Sequence, residues 1–297
     1  MTNKLIKKLD NNSSNNRLFI VGGIILLAVG VGLWINSIYL NPTNVFWASL
    51  SNDLSTTGFT KEINNSTSQT SVKQVVQVAF SGSSYAHSIT TLTQSGTTVV
   101  TEEINSPDSE YVRYLNISSS NKDNKNYKPV LNLWGYQNST KASGAQSTRT
   151  FYQSIFGILP FGNLTPDQRG NLLKIAKQEN VYKVNSKEVT HETIAGKKVD
   201  TLKVEVNLQG YIKLMKTFAG YVGFKGLDSI DPSQYASQKP VTVKISIEPA
   251  SRNLVQIDNG TAAGKSLYSG FGVNPMLTLP KDKISLTNLE KKIQAIK

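Results

Sequence analysis

Cysteine is absent from the 297 residues, which excludes disulfide bonds, thiolate nucleophiles and cysteine-based metal sites. Its absence also excludes a lipid-modified cysteine as a membrane anchor. A domain held outside the cytoplasm would therefore depend on its hydrophobic core alone for stability. The chain is long enough for this, because roughly 255 residues remain after about forty N-terminal residues are set aside, and they can bury a large core.

Histidine occurs only twice, at His87 and His191, and neither belongs to an H-x-x-H pattern. A metal site needs three or four converging ligands, so no metal and no other cofactor is predicted. The sequence also lacks a nucleophile elbow, a Walker A loop and a dinucleotide fingerprint. Glu102 and Glu103 are adjacent and would point to opposite sides of a strand. No catalytic residue and no enzyme are predicted, and a cell-envelope hydrolase built from distant carboxylates is the least favoured of three hypotheses.

Acidic residues are few, 20 against 32 lysines and arginines, and the net charge is +12. A basic domain can bind nucleic acid, anionic lipids or cell-wall polymers. The favoured interpretation is a solvated surface of scattered lysines, because no run of five basic residues occurs. Base stacking would need aromatic and basic side chains interleaved on one sheet face. Tyr111 and Arg113 would share a face, with Tyr114 opposite, which favours a cross-strand pair and no nucleic acid partner.

Charge is also missing from residues 18–40, a run of 23 residues. As a helix this run would be about 34 Å long, enough to cross a hydrocarbon core of about 30 Å. Trp34 and Tyr39 lie near its end, where amphipathic rings favour the membrane interface. Pro42 is expected to end the helix. The run predicts a single transmembrane span.

Basic residues flank this run asymmetrically: four precede it and none follows until Lys61. The positive-inside rule therefore predicts a cytoplasmic tail at 1–17 and an extracytoplasmic domain after the span. A cleaved signal peptide would have an apolar core of about 7–15 residues and a small-x-small site. The longer run without such a site favours a signal anchor, and the predicted location is the cell membrane, single-pass, in a bacterial envelope.

Residues 41–71 are predicted to form a short helix at 45–54, capped by Thr43 or Asn44, and a polar linker at 64–71. The remaining 72–297 are assigned to one extracytoplasmic domain.

Period-two alternation predicts antiparallel strands over 72–115 and, most clearly, at 241–247. A further hairpin is expected from 181–189 and 198–206. The polar segments 118–128 and 138–147 are predicted to be exposed loops.

Helix signals are fewer than strand signals. Thr165 and Gln168 flank Pro166 in a capping-box pattern, which predicts a helix start. An amphipathic pattern predicts a helix at 208–224, and a surface helix is expected from Leu286. Together these elements predict an α+β fold with an antiparallel sheet and one or two helices packed across one face.

Residues 192–199 (ETIAGKKV), which run into a strand and then an amphipathic helix, resemble the LolA/LppX-like families. These are bacterial lipoprotein carriers and lipid-binding lipoproteins. The resemblance covers roughly residues 45–279 by order of elements. It implies a curved antiparallel half-barrel whose concave face is covered by helices, and a lipid or lipoprotein acyl chain as partner.

The sequence therefore suggests a membrane-anchored, non-catalytic protein that binds an acyl chain between sheet and helices. The alternative is a structural or adhesive surface protein with a solid core, which contacts anionic envelope polymers or a partner protein. Apolar stripes usually indicate core, so the same side chains could simply fill one another's space. The candidate ligand-binding residues are Leu202, Val204, Met215, Phe218, Val222, Val243 and Ile245.

Overall fold

The computed structural model describes residues 39–80, 84–119, 125–138, 149–260, 264–275 and 277–296. The predicted tail at 1–17 and nearly all of the predicted span at 18–40 lie outside these ranges. Within the ranges, no helix is both long and apolar enough to cross a membrane.

Twelve strands of the described residues form a single sheet. The strands are β1 (Gly58–Ser66), β2 (Thr70–Ala79), β3 (Tyr85–Gln94), β4 (Thr97–Asn105), β5 (Ser109–Ser119), β6 (Gly135–Asn138), β7 (Tyr182–Ile194), β8 (Lys197–Val206), β9 (Val241–Glu248), β10 (Asn253–Asp258), β11 (Lys265–Ser269) and β12 (Ile284–Ser285).

The strand order is β12-β6-β5-β4-β3-β2-β1-β11-β10-β9-β8-β7. Every pairing is antiparallel except the short one between β12 and β6. Two antiparallel meanders, one from each half of the chain, meet where β1 pairs with β11. The sheet is curved and does not close. The predicted α+β class and the large antiparallel sheet are confirmed.

Helices of the described residues are α1 (Pro42–Asp53), α2 (Arg149–Ile155), α3 (Pro166–Gln178), α4 (Leu208–Tyr221) and α5 (Leu286–Gln294). The capping box predicted at Thr165 is present, and α4 and α5 begin where the patterns placed them. All five contact the sheet or one another. We call the side of the sheet that they cover the helix face and the opposite side the outer face.

Two predictions about the segment after the span are wrong. Helix α1 is capped by Asn41 and not by Thr43 or Asn44, whose amide groups donate to the Asn41 side chain. Pro42 starts this helix, because proline fits the first turn, where its missing N–H leaves no bond unmade. The predicted linker at 64–71 is the end of β1, a turn and the start of β2; it is polar because that hairpin end is exposed.

One hydrophobic core lies between the helices and the helix face. Phe46 and Leu50 of α1 are buried in it, as are Val76 and Val78 of β2, which alternate on that face. Aromatic rings join the two sheet halves, since Phe161, in the segment before α3, stacks on Phe59 of β1 and on Tyr268 of β11 with ring centroids 4.3 and 5.2 Å apart. One core therefore spans both meanders.

The C-terminal strap, which we define as residues 277–284, crosses the outer face of the sheet. Three of its residues lie against outer-face side chains of β4, β5 and β6. The chain then pairs as β12 with β6 and enters α5 on the helix face. Gly135 permits the close approach of α5 to β6, because an added Cβ there would lie 2.9 Å from a Leu289 methyl carbon of α5.

Candidate functional site

The seven predicted ligand-binding residues belong to the hydrophobic core or pack against it. Leu202 pairs with Ile245 and Val204 with Val243 across β8 and β9, and Met215 and Phe218 lie on α4, with Val222 at its C-terminal end. Six of the seven are at most 3% exposed, and Val222 packs against the same cluster. These side chains fill one another's space, and their contact with a ligand stays a prediction.

Helix α4 is fixed to the sheet by the segment that precedes α3. Phe218 contacts Phe156 edge-on, with ring centroids 5.4 Å apart. The Tyr211 hydroxyl donates a hydrogen bond of 2.5 Å to the Gly157 carbonyl. Burial raises the pKa of Tyr211 to about 12, which keeps this donor protonated. A ligand under α4 would have to displace these contacts.

An apolar cavity lies on the outer face, on the other side of the sheet from the core. Its volume is about 800 Å³. Ile104, Tyr111 and Tyr136 are direct neighbours across β4, β5 and β6 and form its floor. Leu279 of the strap is 52% exposed along its rim. The complete lining is Ser84, Tyr85, Ile104, Ser106, Pro107, Asp108, Ser109, Tyr111, Tyr136, Asn138, Leu277 and Leu279. We call this the Tyr111 cavity.

A second, more polar cleft of about 650 Å³ lies at the other end of the strap. Its lining consists of Arg113, Asn132, Leu133, Trp134, Pro280, Lys281, Asp282, Lys283 and Ile284. Three of these side chains are cationic and one is a carboxylate. We call it the Arg113 cleft.

Lys283 connects the two cavities. Its ammonium nitrogen lies 4.2 Å from the Tyr136 ring centroid and 5.0 Å from that of Tyr111, whose hydroxyl it also approaches at 3.3 Å. The two rings are themselves 4.9 Å apart. Cation–π contacts of this kind hold a charged strap against an aromatic floor.

Arg113 is fixed from behind by Glu102 of β4. Its Nε donates to the Glu102 carboxylate at 2.6 Å, and His87 Nε2 lies 2.9 Å from the other oxygen. Burial acts to raise the pKa of Glu102, but the bonds from His87 and Arg113 and the Arg113 charge outweigh it, and the pKa is lowered. The guanidinium also lies 4.6 Å from the Trp134 ring centroid.

Carboxyl groups also gather on the helix face. Glu103 and Glu110 lie on that face of β4 and β5, and Glu290 approaches from α5. Desolvation, followed by repulsion from Glu103 and Glu290, raises the pKa of Glu110 to about 7. A carboxyl with this pKa beside another carboxylate is one arrangement of a general acid. Neither the Tyr111 cavity nor the Arg113 cleft is lined by any of the three.

Asp53 is fully buried at the end of α1, and neither carboxylate oxygen has a hydrogen-bond partner within the described residues. Desolvation raises its pKa well above the usual value. His191 bonds Asp200 at 2.7 Å on the exposed β7–β8 hairpin. In the part of the chain that the structure describes, no three His, Asp or Glu side chains are grouped to hold a metal ion.

Sequence reasoning identified the shared face of Tyr111 and Arg113 and the opposite side for Tyr114, and the strand register confirms both. It missed that this pair forms the floor of two cavities. The strap that completes them, residues 277–284, has no periodic pattern, so no sequence signal placed it there. The cationic residues of the Arg113 cleft, Arg113, Lys281 and Lys283, are too far apart in the sequence to form a recognisable motif.

Of the comparisons with known proteins, only that with solved structures finds matches. No protein-family profile matches the sequence. No curated protein matches it either. Among solved structures, the chain is similar to LprF from Mycobacterium bovis, with 12% sequence identity and a TM-score of 0.38, covering 80% of this chain and 95% of that one.

Proposed function

We propose that this chain is a membrane-anchored, non-catalytic binding protein whose extracytoplasmic domain holds the acyl chain of a lipid or lipoprotein. The anchor is the uncharged run at 18–40, and the charge asymmetry around it supports the orientation. The observation that carries the binding function is the Tyr111 cavity on the outer face.

The Tyr111 cavity has the composition that an amphiphile needs. Its volume of about 800 Å³ lies within the usual range for small-molecule sites. Tyrosine, isoleucine and leucine side chains give it an apolar lining, and serines, Asp108 and Asn138 supply polar groups. Leu279, 52% exposed, would be buried by an acyl chain, and such burial contributes about 25 cal/mol per Å² of apolar surface.

The ligand position that the sequence predicts, between α4 and the sheet, is less favourable. Leu202, Val204, Phe218 and Ile245 are all fully buried. An acyl chain there would first have to separate packed side chains, and losing one large core contact costs about 3–5 kcal/mol. The outer-face cavity needs no such opening, so we place the ligand there.

The test uses the full chain reconstituted in phosphatidylcholine vesicles that contain a phospholipid with a photoactivatable acyl chain. After illumination, labelled peptides are mapped by mass spectrometry. We expect labels on residues 104–111, 136–138 and 277–279. Replacing Leu279 by Asn should reduce the label there, whereas Val273→Asn, which changes another exposed apolar residue outside the cavity, should not.

The other outcomes separate the alternatives. Labels on residues 202–222 and 243–245 would indicate that the ligand binds between α4 and the sheet. Labels confined to 18–40 would report bilayer contact alone and contradict the proposal. Protease added to intact cells should degrade the part of the chain after the span, and full protection of that part would refute the extracytoplasmic location.

A second candidate function is a structural or adhesive surface protein with a solid core. The close packing of Met215, Phe218 and the β8–β9 side chains favours it. In that case no acyl probe would label the domain, and anionic envelope polymers or a partner protein would bind it instead.

A further inference from the structure

The Arg113 cleft carries an excess of positive charge that the acyl-chain proposal does not use. Arg113, Lys281 and Lys283 line it against the carboxylate of Asp282, and Glu102, which pairs with Arg113, leaves an excess of one positive charge. Glu102 lies behind Arg113 and is only 13% exposed, so it faces the sheet more than the solvent. A concave surface with this balance attracts anions.

Arg113 is preorganised for a multi-oxygen anion. Glu102 holds its Nε and Nη2, and the Trp134 ring lies against the guanidinium. These contacts reduce the rotamer freedom that binding would otherwise remove. Because Glu102 takes the Nε–Nη2 edge of the guanidinium, a phosphate would bind at the Nη1–Nη2 edge, whose planar geometry still donates two parallel hydrogen bonds and suits phosphate better than lysine does. Lys281 and Lys283 then add charge from the strap.

The position of this cleft relative to the Tyr111 cavity matters most. Lys283 lines the Arg113 cleft while its ammonium group lies over the Tyr111 and Tyr136 rings of the other cavity. Leu279 and Pro280, consecutive in the strap, line one cavity each. A cationic pocket and an apolar pocket therefore lie side by side on the outer face.

We propose that the Arg113 cleft binds the phosphate of an anionic amphiphile whose acyl chain lies in the Tyr111 cavity. The phosphate site depends on the residues of the cleft itself, and its assignment to a lipid head group rests on the proposed function. The chemistry required is a phosphate ester, which a lipid or a soluble phosphate ester can both supply.

Three probes separate the two sources. They are dihexanoyl phosphatidylglycerol, which has phosphate and acyl chains, dihexanoylglycerol, which has chains alone, and glycerol 3-phosphate, which has phosphate alone. Each is titrated against the full chain in maltoside micelles, and bound ligand is counted by native mass spectrometry. We expect phosphatidylglycerol to bind at least tenfold more tightly than either partial probe, and glycerol 3-phosphate to compete with it.

The variants are Lys281→Gln, on the exposed strap, and Arg113→Gln. Lys281→Gln should weaken phosphatidylglycerol binding about threefold and Arg113→Gln about tenfold or more, because charge-assisted bonds to arginine are the stronger. Neither should change dihexanoylglycerol binding. Lys239→Gln removes the same charge at an exposed site outside both cavities and should have no effect. Lys281→Gln keeps the test valid if loss of Arg113 disturbs folding.

Each remaining outcome has one meaning. If glycerol 3-phosphate binds as tightly as phosphatidylglycerol, and Lys281→Gln weakens both, the phosphate site stands and the acyl-chain function fails. If phosphatidylglycerol and dihexanoylglycerol bind equally and Lys281→Gln changes neither, the phosphate site is refuted and the acyl-chain function stands. If no probe binds, both are refuted.

Discussion

Phe218 offers the most direct test of whether the space between α4 and the sheet is closed. Its side chain is fully buried on α4 among the residues that the sequence suggested as a lipid seat. Phe156 contacts it edge-on, and Gly162 approaches so closely that an added Cβ would lie 3.3 Å from its ring. Replacing Phe218 by Ala removes the ring from this packed setting.

The expected loss follows from burial and packing. A Phe→Ala change at a fully buried site costs about 3–5 kcal/mol when the surroundings cannot collapse into the cavity. The edge-on contact with Phe156 contributes about 0.5–1.5 kcal/mol of that loss. Native domains have only about 5–15 kcal/mol in total, so the milder Phe218→Leu variant is measured as well, with an expected cost of about 1–2 kcal/mol.

The assay is guanidinium unfolding of the full chain, followed by far-UV circular dichroism and by tryptophan fluorescence. Both variants should lower the midpoint without changing the slope, as a pure stability change does. Val273→Ala is the control, because Val273 is 60% exposed and its truncation should stay within about 0.5 kcal/mol. A loss below about 2 kcal/mol for Phe218→Ala would refute close packing and favour an opening ligand pocket under α4.

Three carboxyl groups give pH-dependent predictions. Because the folded-state pKa of Glu110 is raised to about 7, wild type loses stability between pH 4.5 and 7, and Glu110→Gln should gain about 1–2 kcal/mol over that window after allowance for solvent screening. The raised pKa of Asp53 likewise makes the wild type lose stability as pH rises from 3.8. Asp53→Asn should therefore become more stable relative to the wild type over that rise. Glu102 has a lowered pKa, so Glu102→Gln should cost about 1–3 kcal/mol at pH 7 and progressively less below pH 4.5. Urea unfolding at each pH measures all three, and a pH-independent difference would contradict the corresponding argument.

Local signals predicted those elements whose stability is itself local. The Thr165 capping box and the alternation in β9 depend on neighbours within a few residues, and both are present. Sequence reasoning missed the end of the β1–β2 hairpin, because its polar composition does not show that its backbone is paired. Residues 64–71 are polar because their hairpin end is exposed, although their backbone belongs to the sheet. Composition reports exposure, and an exposed strand end has the composition of a linker.

The candidate site depended on information that no window of the sequence contains. The scattered lysines were interpreted as a solvated surface, which is correct for a residue such as Lys239. Lys283 differs only because the strap crosses the outer face and places its ammonium group over two tyrosine rings. Arg113 is held by Glu102 because the short β4–β5 turn pairs Asn105 with Glu110, and three pairs further along it places Glu102 opposite Arg113. A one-residue shift of that register would turn Arg113 to the helix face, so the charge pattern of the cleft is a property of the register and not of the composition.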